Sequence, residues 1–333
     1  MTDLLGRAAD ARAGLFDERH EAAFRLFSGF YEGMPDLVID LYATTAVVHN
    51  YADPQESAAA AVEEALAFLR DRYPWLRAGV VKPRNAATPE ERRGRLAFGD
   101  APDTRVREHG VWYAFDPFLN RDASLYLDTR DLRGWAKTSL GGKRVLNTFA
   151  YTGSLGVAAA AGGAARVVHT DASRDFLSVA KTSYTLNGLA IDKRDFVTGD
   201  FFSVVARLKK EDALFDCVFL DAPFFSMGEG GRVDLVMESE RLINKVRPLV
   251  GDGGVLVAVN NALFLSGADY VRTLEAVCSD GYLSVDRFLD VPADFTGPEG
   301  ARAGAPPTDP APFNHPTKIA LLRVTRKDGR TAG

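Results

Sequence analysis

The sequence predicts an α/β protein: a seven-stranded sheet covered by helices on both faces, with a small α+β domain in front of it. Residues 144–262 alternate apolar strand, turn and amphipathic helix, the rhythm of a parallel sheet. Within that stretch, "FDCVFLD" (215–221) reads as a buried strand running straight into an acidic residue. The earlier part of the chain has a different texture, with turn residues between short apolar alternations.

Taken in order, a polar helix leads into "AFRLFSGFYEGMPDLVIDLYATTAVVHNYAD", which predicts a meander of short strands. The helix "QESAAAAVEEALAFLRDRY" and the segments "AGVVKPRN" and "GVWYAFDP" complete an α+β domain over residues 1–115, a candidate for substrate or RNA binding. Residues 116–333 form the second domain and open with the connector "FLNRDASLYLDTRDLRGWAKTSLGGK". Strand "RVLNTFA" and the small-residue helix "GSLGVAAAAGGA" come next, then strand "RVVHTDA" and helix "SRDFLSVAKTSYTLNG". "DFVTGD", "FSVVARLKKED", "FDCVFLDAP", "VDLVMESERLINKVRPLV" and "GVLVAVNNA" continue the alternation, and helix "GADYVRTLEAVCSDG" follows. The last strands, "YLSVDRFLDV" and "KIALLRVTR", are joined by a loop instead of a helix, so the final strand is expected to be antiparallel.

Composition narrows the function classes. A chain of 333 residues exceeds what one small core usually holds, which favours two domains. Its two cysteines exclude a disulfide framework, and no Cys/His cluster has zinc-ligand spacing, so no metal is expected. Charge interrupts every apolar run of the first residues, so neither a signal peptide nor a membrane span is expected and the protein reads as cytosolic and soluble. The formal net charge of −5 means that any nucleic acid must be held by a local patch.

In an open parallel sheet the ligand lies beyond the carboxyl ends of the strands. Here those ends carry Asn147 to Gly156, Asp171, Asp200, Asp221 and Asn260–Asn261. Asp171, about 20 residues past the glycine turn, is placed to accept ribose hydroxyls. "NTFAYTGSLGV" lacks the glycine spacing that closes a backbone on a pyrophosphate, and a single Gly153 suits a nucleoside without phosphates. S-adenosylmethionine is such a ligand.

"LYLDTRDLRGW", "VLNTFAYTGSLGVAAAAGGA", "TDASRDFLSVAKTSYTLNGL" and "FLDAPFFS" together resemble the large-subunit ribosomal-RNA methyltransferases, which act on cytosine C5 or guanine N7. The likeness covers residues 125–262 and extends loosely to "FRLFSGFYEGMPDLVIDLY", similar to that family's middle α+β domain. It implies a class I methyltransferase with a Rossmann-like sheet, S-adenosylmethionine as cofactor and ribosomal RNA as partner. The amino-terminal RNA-binding domain usual in that family is expected to be missing. The resemblance implies that Asp128 and Arg130 lie near the methionine portion of the cofactor, and that Asn147, Phe149, Tyr151, Thr152 and Gly153 surround it. It also implies Asp171 at the ribose with Ala172 and Ser173 beside it, Asp200 at the adenine with Phe201, and Asp221 at the edge of the site.

Asp221, Pro223 and Phe224 form the expected catalytic corner, together with Asn260. Methyl transfer is an in-line displacement, so positioning the acceptor is most of the catalysis available. Asp221, the Ala222 carbonyl and the rigid Pro223 can accept hydrogen bonds from an exocyclic amine, and Phe224 or Phe225 can stack on a flipped base. Where the family has Asp-Pro-Pro, this chain has Ala222, and at least one of the two phenylalanines is expected in the core. Cytosine C5 is a poor nucleophile whose methylation needs a cysteine after the fifth strand. This chain has "VAVNNALF" there, Cys217 sits mid-strand and Cys278 lies in a late helix, so methylation of a base nitrogen is expected instead. Asn260 and Asn261 resemble the end of that strand in guanine-N7 enzymes, while simple turn chemistry is the other reading.

Lys82 and Arg84, with Arg92, Arg93 and Arg95, form the expected phosphate-contacting patch. The long Pro-rich loop from Pro292 to Pro316 suggests a preset wall, with His315 either contacting substrate or capping the loop. A methyltransferase for a small molecule or a protein, and a non-catalytic member that only binds cofactor, remain the alternatives. The sequence leaves the oligomeric state open.

Overall fold

The computed structural model describes residues 1–228 and 230–332, which form two compact units. The first comprises Met1–Arg130 and Pro292–Pro306; the second comprises Asp131–Val291 and Pro307–Gly333.

In the first unit, helix α1 (Thr2–Ala11) precedes strands β1 (Ala23–Ser28), β2 (Leu37–Tyr42) and β3 (Thr45–Asn50), an antiparallel meander as expected. Helix α2 (Ala59–Arg72) then crosses over to β4 (Ala78–Pro83), which pairs parallel to β3 because the helix returns the chain to the same end of the sheet. The short helix α3 (Pro89–Arg93) starts with a capping box between Thr88 and Glu91 and leads to the edge strand β5 (Arg95–Gly99). A separate hairpin, β6 (Arg105–Glu108) and β7 (Val111–Ala114), follows. Leu5, Ala8 and Ala9 of α1 and Val62, Leu66 and Leu69 of α2 pack against Phe24, Leu26, Ile39 and Val48 of the sheet.

This unit runs past the boundary expected at residue 115, and hydrogen bonds give the reason. Tyr42 Oη donates to the Leu125 carbonyl at 2.9 Å, and Lys82 Nζ donates to the Asn120 carbonyl at 3.0 Å. The first half of the Pro-rich loop also belongs here. Ser28 Oγ donates to the Phe295 carbonyl at 2.6 Å, and Gly304 N to that of Tyr31 at 3.0 Å.

The second unit opens with α4 (Arg130–Ser139), whose first residue is the last of the Met1–Arg130 stretch of the first unit. It contains β8 (Arg144–Thr148), α5 (Ser154–Ala161), β9 (Arg166–Asp171), α6 (Arg174–Leu186), β10 (Phe196–Thr198), α7 (Phe201–Lys210) and β11 (Phe215–Asp221). A hairpin of β12 (Phe225–Gly228) and β13 (Gly231–Asp234) interrupts the rhythm. Then come α8 (Ser239–Val246), β14 (Val250–Asn260), α9 (Gly267–Cys278), β15 (Leu283–Leu289) and β16 (Lys318–Val324).

The sheet is seven-stranded, in the order β10-β9-β8-β11-β14-β16-β15. All neighbours from β10 to β14 run parallel, and β16 runs antiparallel to both β14 and β15. The strand order reverses between β8 and β11, and beside such a switch point an open sheet leaves a crevice for a ligand. Leu146, Val218, Leu220, Leu256 and Ala320 fill the core under the helices that carry Val205, Leu242, Ile243 and Leu274.

Candidate active site

At the end of β8 the chain makes an unusual turn. Phe149 and Tyr151 have φ of +49° and +51°, and Gly153 follows at +78°. Non-glycine residues rarely adopt this region, so neighbours must hold them there. The Ala150 amide donates to the Thr170 carbonyl at 2.9 Å and the Tyr151 amide to Asp171 Oδ2 at 2.8 Å. The Phe149 ring stacks on Phe201 at 4.4 Å, and the Tyr151 ring meets the edge of Phe176 at 4.6 Å.

Asp171 is the hub. Its other oxygen, Oδ1, accepts from the Ser173 amide at 2.8 Å, and Ser173 Oγ in turn caps α6 by accepting from Phe176 N at 3.3 Å. Burial nevertheless holds the Asp171 carboxyl above its ordinary pKa. Three backbone amides, those of Tyr151, Ser173 and Ala172, donate to this carboxylate, which leaves about one of its roughly four lone-pair sites for a ligand hydroxyl. Ala172 lies exposed between Asp171 and Ser173.

Asp200 caps α7, with Oδ1 accepting from Phe202 N at 3.0 Å and Ser203 N at 3.2 Å. The β12–β13 hairpin runs close to this carboxylate; a Cβ on Gly230 would lie 2.0 Å from Asp200 Oδ1. Asp171 and Asp200 thus stand after successive strands, beside the stacked rings of Phe149 and Phe201.

Several expected site residues have other jobs. Asn147 is buried, and its amide nitrogen lies 3.4 Å from His169 Nδ1, so it holds the loop from behind. His169, which the sequence reading passed over, is fully buried; its Nε2 lies 3.0 Å from Tyr184 Oη and its ring stacks on Phe196 at 5.0 Å. Burial lowers its pKa to about 3, so it stays neutral. It also explains Gly156, where a Cβ would stand 2.3 Å from His169 Cε1. The only advance signal was a histidine inside an apolar strand facing a small-residue helix. Thr152 is buried in the same loop.

Asp128 and Arg130 belong to the first unit. Arg130 closes an ion pair with Asp294, Nη2 to Oδ1 at 2.5 Å, and Nη1 also donates to the Ala23 carbonyl at 3.3 Å. Asp294 is only 3% exposed and its carboxylate requires this counter-charge, so Arg130 is not presented to a cofactor as expected.

At the end of β11, Asp221 is half-buried, Ala222 is buried and Pro223 is exposed. The two phenylalanines correct the expectation that one joins the core: Phe224 is 48% exposed and Phe225 53%. Phe225 opens β12 and pairs with Asp234, and the Phe224 carbonyl accepts from Leu235 N at 3.1 Å, so the hairpin carries both rings outward.

Asn260 is also corrected. It is fully buried; Nδ2 donates to the Leu235 carbonyl at 3.0 Å and Ser239 Oγ at 2.9 Å, and Oδ1 accepts from Ala262 N at 2.9 Å. It fastens the turn, while Asn261 beside it is exposed. Cys217 is fully buried within β11, where burial pushes its thiol pKa far above the usual range, and Cys278 ends α9 with its thiol also raised by burial. His315 Nδ1 accepts from Thr317 N at 3.0 Å, which makes it a cap of the segment before β16.

The expected basic patch does not form around Lys82 and Arg84. Lys82 is fully buried, donating to the Arg93 carbonyl at 2.7 Å, to Asn120 and to Pro117, with its pKa lowered to about 8 by burial. Arg84 is bound to Asp122 and to the Arg121 carbonyl, leaving Arg93 and Arg95 as the exposed cations of that segment. Among the described residues no cluster of metal ligands occurs, and no helix is long and apolar enough to cross a membrane.

Residues 25–304 match the S-adenosylmethionine-dependent methyltransferase family. The chain is 27% identical over 284 residues to ribosomal RNA large subunit methyltransferase I of Photobacterium profundum, covering 83% of this chain and 72% of the relative. It is 30% identical over 283 residues to the enzyme of the same name from Aeromonas hydrophila, with 84% and 70% covered. Among solved structures it resembles SMU.776, a methyltransferase complexed with SAH, at a TM-score of 0.83 and 20% identity, covering 97% of this chain and 80% of that one. The chain belongs to the S-adenosylmethionine-dependent methyltransferases.

Proposed function

We propose that this enzyme methylates a nitrogen of a base in ribosomal RNA, in the cytoplasm. S-adenosylmethionine supplies an electrophilic methyl group on a sulfonium. The chain's own residues have to hold that methyl and present the acceptor. The loop from Phe149 to Gly153 with Asp171 and Asp200 is the cofactor side of the site. Asp221 and the exposed pair Phe224 and Phe225 are the acceptor side, with the rings as stacking surfaces for an unpaired base and Asp221 as acceptor for an exocyclic amine. The names of the relatives support ribosomal RNA as substrate.

The observation that carries the choice of nitrogen is the absence of a usable thiol among the described residues. Attack at cytosine C6 requires a thiolate beside the base; Cys217 is sealed within its strand, Cys278 lies at the end of α9, and the exposed residue after β14 is Asn261. Guanine N7 carries a free lone pair and no proton, so it needs neither a base nor a covalent catalyst. An exocyclic amine is the other acceptor that this corner suits. In the first unit, Arg93 and Arg95 remain candidates for contact with RNA.

The test is transfer of labelled methyl to total RNA and protein from cells lacking this enzyme. Label in RNA mapped to a guanine or adenine nitrogen is the expected result. Label on cytosine C5 would overturn the nitrogen assignment. No label in RNA, with cofactor still bound, would move the substrate to a protein or a small molecule.

A further inference from the structure

Beside the adenine end of the cofactor site, α7 and α8 leave a groove of about 510 Å³ lined by Lys209, Met237, Glu240, Arg241, Asn244 and Lys245. We propose that this groove binds the phosphodiester backbone of the RNA that flanks the target base, an assignment that rests on the RNA reading above.

Three cations and one carboxylate face the groove on a chain whose net charge is −5. Several arginines elsewhere on the protein pair with nearby carboxylates: Arg194 with Asp192, Arg330 with Asp212 and Asp328, and Arg166 with Asp195. In the groove only Arg241 has such a partner, Glu238 at 3.0 Å. Among the described residues neither Lys209 nor Lys245 forms an ion pair, and their mutual repulsion adds to burial in lowering the Lys209 pKa. Two ammonium groups held together without a counter-ion form a site for an anion.

The groove's position suits RNA. Phe202 lies beneath the cations, with Arg241 Cζ 4.8 Å and Lys245 Nζ 5.9 Å from its ring centre. The Phe202 amide is the one that Asp200 caps, so this surface adjoins the adenine end of the cofactor site. The β12–β13 hairpin borders it as well, because a Cβ on Gly231 would lie 3.2 Å from the Phe202 ring and 3.4 Å from Arg241 Nη2. That hairpin carries Phe225 and Met227, 53% and 71% exposed, and Met237 on the groove's rim is 74% exposed. Exposed apolar side chains beside unneutralised cations make up the surface that single-stranded RNA uses: bases stack and phosphates pair.

The test uses the full chain with S-adenosylhomocysteine and a fluorescein-labelled single-stranded oligoribonucleotide. Affinity is measured by anisotropy against salt for the wild type, the double variant Lys209→Gln/Lys245→Gln, and Glu240→Gln. Each lost phosphate contact on a single strand should flatten the log–log salt dependence by about 0.7, so the double variant should lose roughly 1.4. Its KM for RNA should rise about tenfold, with S-adenosylhomocysteine affinity unchanged. Glu240→Gln should tighten RNA binding, a gain that misfolding would not produce. An unchanged slope in the double variant and unchanged affinity in Glu240→Gln would overturn the assignment. If the wild type methylates RNA but the slopes coincide, the groove is refuted and the RNA reading stands. If the slopes differ yet no RNA is methylated, the RNA reading fails while the groove's affinity for a phosphodiester chain stands.

Discussion

The carboxylate of Asp171 accepts the Tyr151 amide at 2.8 Å and, with the Ala150–Thr170 backbone bond, ties the tip of β9 to the left-handed turn after β8. The same carboxylate holds the Ser173 amide at 2.8 Å and so fixes the start of α6. Replacing it by Asn puts an amide donor against one of those two amides. Asp171→Asn should therefore weaken S-adenosylhomocysteine binding by roughly 10- to 100-fold, the equivalent of one hydrogen bond to a charged group. Calorimetry with the folded variant checks this, and affinity within twofold of wild type would contradict it.

His169 makes a pH prediction. Its pKa is lowered to about 3 by burial, against an ordinary value near 6.5. The folded state binds no proton at this ring between those values while the unfolded state does. Stability from the neutral ring is therefore complete above pH 6.5 and declines as pH falls toward 3, by up to about 1.4 kcal/mol per pH unit. Urea unfolding of the wild type and His169→Gln at a series of pH values should show a shallower acid limb for the variant. Parallel limbs would mean that His169 is already protonated in the fold.

The sheet was legible because its signal is periodic and repeated. Each strand from β8 to β11, and β14, ends in a polar residue and is followed by a turn or helix, and the loop that joins the last two strands gave the antiparallel β16. The tips were legible for the same reason: Asp171 and Asp200 follow apolar runs that could be counted. What each side chain does at the tip was less so. Asn260 and Asn261 are adjacent and chemically identical, yet Asn260 closes β14 inside the core while Asn261 lies past the end of the strand and is exposed. Lys82 and Arg84 looked like surface charge because a sequence does not reveal which carbonyls fold back over an ammonium. The outward turn of Phe224 and Phe225 depends on a hairpin whose partner strand begins beyond a run of glycines, too short a pattern to read.

The two asparagines should separate cleanly on mutation. Asn260→Ala removes three hydrogen bonds from a sealed turn and should cost about 2–4 kcal/mol of unfolding free energy. Asn261→Ala should leave stability within about 0.5 kcal/mol, as for most exposed positions. Any catalytic role belongs to Asn261, so its variant should lower kcat while Asn260→Ala acts through the fraction folded. Denaturant melts paired with rates corrected for folded protein distinguish the two. A kcat unchanged in Asn261→Ala would leave turn chemistry as its whole role.

Lys82 supplies a contrast between a cation that holds the fold and one that meets a ligand. Its ammonium donates to three backbone carbonyls, those of Arg93, Pro117 and Asn120, and is fully buried. Lys82→Met keeps much of the volume and removes every donor, so the first unit should lose about 2–4 kcal/mol of stability. The folded fraction should bind RNA with the wild-type salt dependence, since no phosphate contact has been removed. Unfolding followed by a probe in the first unit, together with anisotropy at several salt concentrations below the melting range, measures both. A flattened salt slope at full stability would restore Lys82 as a phosphate ligand and would require the ammonium to leave its carbonyls.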